Sequence, residues 1–181
     1  MVMVTLAILM LVTRGSHVSG WNALPEASWM VFFAAGLLLP TIALPALFAL
    51  AVGIDAYAFT FGGVPGTCLS VAYAMLAPAY ASLWLAGRFA GQVSGSGRKY
   101  YGAWAGAALL GTAVCEVISS GSFYLWSGLF EPTWAEFVQR ELLYAPAVFA
   151  SSAFWGTILI LAHGIGLKFF SAGSGIRNPA H

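Results

Sequence analysis

The chain predicts an all-α, polytopic membrane protein with six transmembrane helices and both termini on the cytoplasmic side. Three observations carry that prediction. Of 181 residues, 60% are apolar and only 7% are charged, with a mean hydropathy of +0.86. A water-soluble domain carries about a quarter charged residues, so this chain cannot cover a water-facing surface. Short stretches containing Gly, Ser, Pro and Asn divide the apolar sequence into segments suited to crossing a bilayer. The few cations gather on one side of that division. The net charge is +1 and no basic run suggests nucleic acid as a partner.

The first segment, Met1 to Val12, is apolar and ends at Thr13-Arg14. Twelve residues of helix reach about 18 Å, short of a hydrocarbon core of about 30 Å. It lacks the positive start and small-residue cleavage site of a signal peptide, and is read as a first span that is short or begins outside this sequence. Gly15 to Pro25 is a loop carrying His17 and Trp21, an aromatic suited to the membrane interface. Ala27 to Phe59 is apolar but interrupted by Pro40 and Pro45. One helix of that length would be about 50 Å long, too long for a single crossing. Two spans turning near Leu39-Pro40-Thr41 fit better, because a residue before proline is pushed out of helical conformation. The third span runs from about Ile42 to Phe59 and contains Asp55.

The fourth span, about Leu69 to Gly87, follows the turn Gly62-Gly63-Val64-Pro65-Gly66, with Pro78 expected to kink it. Gln92 to Lys99 is a polar loop. The fifth span, about Gly102 to Ser119, opens with GAWAGAALLG, small residues that let helix backbones approach closely. Ser120 to Tyr144 is expected to be a loop whose second half, about 133–143, is a short amphipathic segment. Thr133 would cap it, with Glu136 at capping-box spacing. The sixth span is about Ala145 to Leu167, and Lys168 to His181 is a polar tail. Residues 1–181 thus form a single membrane domain.

Six spans place Arg88, Arg98, Lys99, Lys168 and Arg177 on one side, five of the seven Lys and Arg residues. Arg14 and Arg140 fall on the other, with Glu26, Glu131, Glu136 and Glu141. By the positive-inside rule the first side is cytoplasmic. The loops Gly15–Glu26, Thr60–Cys68 and Ser120–Tyr144 then face outward and hold the candidate chemistry.

That chemistry is sparse. No GxSxG elbow, phosphate-binding loop, HExxH or CxxC is present, and His17, His163 and His181 are scattered. The two cysteines make no disulfide framework, and Cys115, deep in an apolar segment, reads as packing. Two readings of Cys68 stay open: a soft ligand for a metal-containing molecule at the lip of a span, or a small hydrophobe at a helix end. Carboxylates within a bilayer are costly and mark a function or a paired contact. Asp55 is open to a structural role, such as bonding the 60–67 turn, and Glu116 reads as structural. Ile118 to Gly128, ISSGSFYLWSG, mixes four serines and two glycines with Phe123, Tyr124 and Trp126. It suits a ligand with ring surface and amide groups, or equally an interfacial aromatic belt.

Three blocks, NALPEASWMVFF (Asn22 to Phe33), GGVPGTCLSVAYAMLAPAYASLWLAGR (Gly62 to Arg88) and ISSGSFYLWSG, together resemble a family of bacterial inner-membrane proteins. These are the solitary cobalamin-specific substrate-binding (S) components related to energy-coupling-factor (ECF) transporters of Gram-negative bacteria. The resemblance implies a multi-pass inner-membrane protein of six helices that binds a corrinoid at its outer face and mediates cobalamin uptake. It implies that Cys68 is the axial ligand to cobalt, with Tyr73, five residues on, near the corrin. Ser120, Ser122, Phe123 and Tyr124 are the next residues expected against the ring and its amide side chains. A thiolate displacing the ligand's benzimidazole would labilise the opposite cobalt ligand, which leaves open a part in removing an upper cyanide.

One departure stands out. Many S components carry an AxxxA face on the first helix for docking to the coupling subunit, whereas MVMVTLAILMLVT has only Ala7. Whether an ECF-type energising module is a partner stays open. The chain has no nucleotide-binding loop, so ATP-driven uptake requires another chain. The alternatives are an uptake protein for another vitamin or for cobalt itself, a membrane thiol enzyme using Cys68 with His17 as base, and a purely structural membrane subunit.

Overall fold

A computed structural model describes residues 1–14, 24–62, 71–95, 97–131 and 133–174. They are all-helical and contain no strand: α1 Val2–Arg14, α2 Ser28–Leu38, α3 Ala43–Phe61, α4 Leu76–Ala90, α5 Arg98–Trp126 and α6 Trp134–Ser174. A 3-10 turn, Val71–Met75, leads directly into α4. Three helices, α3, α5 and α6, are long and apolar enough to cross a membrane, while α1 and α2 are shorter apolar helices.

Prolines set the breaks. Leu39, ahead of Pro40, is extended at φ −122° and ψ 157° and ends α2. Pro45 sits in the first turn of α3, where its missing N–H would lack an intrahelical partner anyway. Pro78, expected as a kink inside a span, instead lies in the first turn of α4. The chain accommodates it by tightening the preceding turn to 3-10, so the bend falls at a junction.

The expected loop from Ser120 to Tyr144 is corrected more substantially. Helix α5 continues to Trp126, and α6 begins at Trp134 and passes through Pro146 to Ser174. The serines do not break α5 because their hydroxyls bond back to their own helix, Ser119 to Glu116 O at 3.4 Å and Ser122 to Ser119 O at 3.0 Å. The stop comes at Gly128, whose φ of +72° only glycine adopts readily. Thr133 does cap α6, its Oγ1 accepting from the Glu136 N–H at 3.3 Å. The amphipathic segment is therefore the first three turns of the last helix. At 41 residues α6 is about 60 Å long and projects well beyond a hydrocarbon core.

Successive helices alternate in direction. Arg14 at the end of α1 bonds Ser28 at the start of α2, and Asp55 late in α3 joins them. At the other level, Arg88 Nη1 donates to Leu39 O at 3.0 Å, bringing the ends of α2 and α4 together. Ser120 meets Glu141 at one end of the α5–α6 pair, and Tyr101 meets His163 at the other.

Helix α2 is the centre. Met30 to Gly36 are all buried, as an apolar helix without a polar face demands. Helix α4 packs between α2 and α5. The closest crossing is at Gly36 and Gly87: a Cβ on Gly36 would lie 1.9 Å from Trp84 O, and one on Gly87 would lie 2.0 Å from Phe33 O. The small-residue start of α5 does not serve this purpose, since Gly102 and Gly106 have nothing within 4 Å, and only Gly111 meets a neighbour, the Ala86 side chain.

Candidate functional site

The ends of α1 and α3 and the starts of α2 and α4 converge on one guanidinium. Arg14 binds Asp55 side-on, Nε to Oδ1 at 2.7 Å and Nη2 to Oδ2 at 2.6 Å. Its Nη1 donates to Tyr80 Oη at 2.7 Å, Glu26 Oε1 at 3.0 Å and Ser28 Oγ at 3.2 Å. The Arg14 side chain is only 10% exposed, and a cation so placed holds only where its donors are met. The second oxygen of Asp55 also accepts from Tyr73 Oη at 2.7 Å. Tyr80 is stacked on Phe32 with ring centroids 4.4 Å apart, so the cluster is anchored to the core through α2.

Beside this cluster lies a cavity of about 450 Å³. One side is polar: Arg14, Glu26, Asp55 and Tyr73. The other is formed by Phe59 and Leu76 with Ser119, Ser120 and Phe123 of α5. Tyr73 and Phe59 meet edge to face at 6.4 Å and 71°. Arg14 and Asp55 satisfy each other, and Ser119 and Ser120 donate to the Glu116 carbonyl and to Glu141. What the cavity offers a ligand is therefore the acceptor capacity of the serine oxygens and of the exposed Glu26 carboxylate, beside an apolar wall. A cavity of this size, with an apolar wall and a few polar groups, suits a small-molecule ligand.

Three of the residues singled out from sequence, Tyr73, Ser120 and Phe123, thus line one cavity. Ser122 and Tyr124 face a different one, with Trp126, Trp134 and Phe137 at the α5–α6 turn. Tyr124 Oη accepts from the Thr133 N–H at 2.9 Å and donates to backbone oxygens of that turn. Its position fastens the turn. Cys68 and the rest of the 63–70 segment, like His17, lie outside the described residues. Asp55, read as open to bonding the 60–67 turn, is held by Arg14 and Tyr73. Among the described residues, no three His, Cys, Asp or Glu side chains are grouped to hold a metal ion.

Sequence reasoning missed Arg14 and Tyr80 as members of the site. The signal was present: the expected alternation of spans put Arg14, Glu26 and Asp55 at one end of the helices, and a lone cation among apolar residues needs an anion. No protein-family profile matches the chain, and no curated protein sequence matches it.

Proposed function

We propose that this chain is a multi-pass inner-membrane protein that binds cobalamin at its outer face and mediates its uptake, with Cys68 as the axial ligand to cobalt. The observation that carries the reading is the position of the cavity. Ala58 and Phe59 near the end of α3 and Ala72 and Tyr73 of the 3-10 turn line it. These residues flank, on both sides in sequence, the segment that contains Cys68. Tyr73, five residues after Cys68, is in its wall, with Ser120 and Phe123 opposite. The resemblance in sequence assigns the same residues to the corrin ring.

The chemistry follows from the thiolate. A soft sulfur donor replaces the benzimidazole on the lower face of cobalt. Its electron donation weakens the bond on the opposite face, so an upper cyanide leaves as the anion with its own electron pair. Six spans with both termini inside place the cavity outward and five of the seven cations inward. ATP-driven uptake would need another chain, an ECF-type module or a different partner, because this one has no nucleotide-binding loop.

The test is the visible spectrum of detergent-purified protein incubated with cobalamin, for wild type and Cys68→Ala. Stoichiometric pigment with a shifted spectrum, the shift being lost in the variant, is the expected result. Loss of all pigment from both proteins on washing would overturn the reading.

A further inference from the structure

Glu26 stands apart from the other charged groups of the Arg14 cavity. Among the described residues that line it, the charged ones are Arg14, Asp55 and Glu26, which sum to −1 when all are ionised. Arg14 and Asp55 neutralise each other through two short bonds, and their side chains are 10% and 17% exposed. Glu26 meets Arg14 through Oε1 at 3.0 Å and its side chain stays 47% exposed. A carboxylate accepts up to about four hydrogen bonds, so the Arg14 contact uses only part of its capacity.

The backbone beneath this exposed side chain is held at three successive residues. Trp155 Nε1 donates to Pro25 O at 2.9 Å, and Ser151 Oγ donates to Glu26 O at 2.7 Å. The Ala27 N–H donates to Thr13 Oγ1 at 3.2 Å. A carboxylate on a backbone fixed in this way presents its charge at one place in the wall.

The hydroxyls of the cavity are already committed as donors. Tyr73 Oη donates to Asp55 at 2.7 Å, Ser119 to Glu116 O at 3.4 Å, and Ser120 to Glu141. Each has used its one O–H and keeps oxygen lone pairs. The guanidinium points its N–H groups at Asp55, Tyr80, Glu26 and Ser28. Glu141 stands behind Ser120 and adds charge of the same sign as Glu26. The polar part of this wall therefore accepts hydrogen bonds and carries a net negative charge.

We infer that Glu26 sets the class of ligand taken here: it admits corrinoids whose peripheral side chains are amides and turns away those that carry a carboxylic acid at the same place. This rests on the cobalamin reading above and deepens it. A propionamide offers an N–H to the Glu26 carboxylate. A propionate has only acceptors at neutral pH, so it would set acceptor against acceptor and bring two like charges together. A site built to bond a ligand's N–H rejects an analogue lacking it far more strongly than an apolar pocket rejects a change in size. The exposed glutamate thus works as a repulsive element against hydrolysed forms of the ligand as well as a contact for the intact one.

The test is a spectral titration of the detergent-purified full chain with cobalamin and with its monocarboxylates, each having one peripheral propionamide hydrolysed to the acid. Wild type should bind at least one monocarboxylate roughly tenfold or more weakly than cobalamin. Glu26→Gln keeps an oxygen for Arg14 and removes the charge. It should bind cobalamin within about threefold of wild type and tighten on that monocarboxylate, closing most of the gap. This is a gain of binding, which a misfolded variant cannot mimic. Cobalamin retained by wild type together with equal affinity for every monocarboxylate overturns the inference, leaves the cobalamin reading standing and needs no variant. A gap of unchanged size in a monodisperse Glu26→Gln overturns the assignment to Glu26. Failure of wild type to retain cobalamin itself overturns the reading beneath, and this inference with it.

Discussion

Arg14 and Asp55, 41 residues apart in sequence, form a two-point ion pair at 2.6 and 2.7 Å that joins α1 to α3. Their side chains are 10% and 17% exposed. Removing one partner leaves the other charge with little water, a change that costs about 3–5 kcal/mol when a buried pair is broken. Arg14→Ala should therefore lower the thermal midpoint in detergent sharply. Arg14→Lys should recover only part of the loss, because an ammonium cannot present the planar fork that also reaches Tyr80, Glu26 and Ser28. A midpoint for Arg14→Ala equal to that of wild type would show that the pair does not hold α1 in place.

Tyr73→Phe separates two roles of one side chain. It keeps the ring against Phe59 and removes the hydroxyl that donates to Asp55 at 2.7 Å. The expected loss of stability is about 1.5–3 kcal/mol, as for a hydrogen bond to a charged group. Affinity for cobalamin, read by spectral titration, should fall by roughly tenfold at most, since the ring that faces the cavity remains. Tyr73→Ala should weaken binding further while costing little more in the Asp55 contact. Equal affinities for the two variants would mean that the ring makes no contact with the ligand.

The membrane class was legible because it rests on totals: too few charges to face water and too many apolar residues to leave exposed. The break at Leu39-Pro40 was legible because proline acts on its own neighbour. The run of α5 through Ser119 to Trp126 was not, since glycine and serine favour turns in water. In α5 the Ser119 and Ser122 hydroxyls are satisfied by carbonyls of the same helix, and that of Ser120 by Glu141 on α6. The site followed the same division. Ser120 and Phe123 lie in the serine- and aromatic-rich segment that local reading singled out, while Tyr73 was expected only from the resemblance in sequence. Arg14 belongs to the site through partners on three other helices, and no spacing along the chain announces such a contact.

The crossing of α2 and α4 admits no side chain. Gly36→Ala would put a methyl 1.9 Å from the Trp84 carbonyl oxygen, and Gly87→Ala would put one 2.0 Å from that of Phe33. Both contacts are with backbone, which cannot turn aside, so the helices must separate. The cost should exceed the roughly 1–3 kcal/mol typical of overpacking. Gly106→Ala is the control, with nothing within 4 Å and a gain in helix propensity of about 1 kcal/mol. Monodisperse protein should be recovered for Gly106→Ala and not for the other two. Normal recovery of Gly36→Ala would place the helices farther apart than described here.

Helix α6 is fastened to the Arg14 cluster by two bonds to adjacent carbonyls. Trp155 Nε1 donates to Pro25 O at 2.9 Å, and Ser151 Oγ donates to Glu26 O at 2.7 Å. The same Glu26 pairs through its side chain with Arg14, so one residue links α6 to the walls of the cavity. Trp155→Phe and Ser151→Ala should each cost about 1 kcal/mol. Combined, they should cost less than the sum, because loss of the first bond already frees the short segment that the second one holds. Hydrogen exchange in a peptide covering residues 24–30 should rise about fivefold in either single variant, the factor that corresponds to about 1 kcal/mol. Exchange there unchanged in the double variant would mean that Pro25 and Glu26 are held by Arg14 alone, and that α6 exerts no grip on the site.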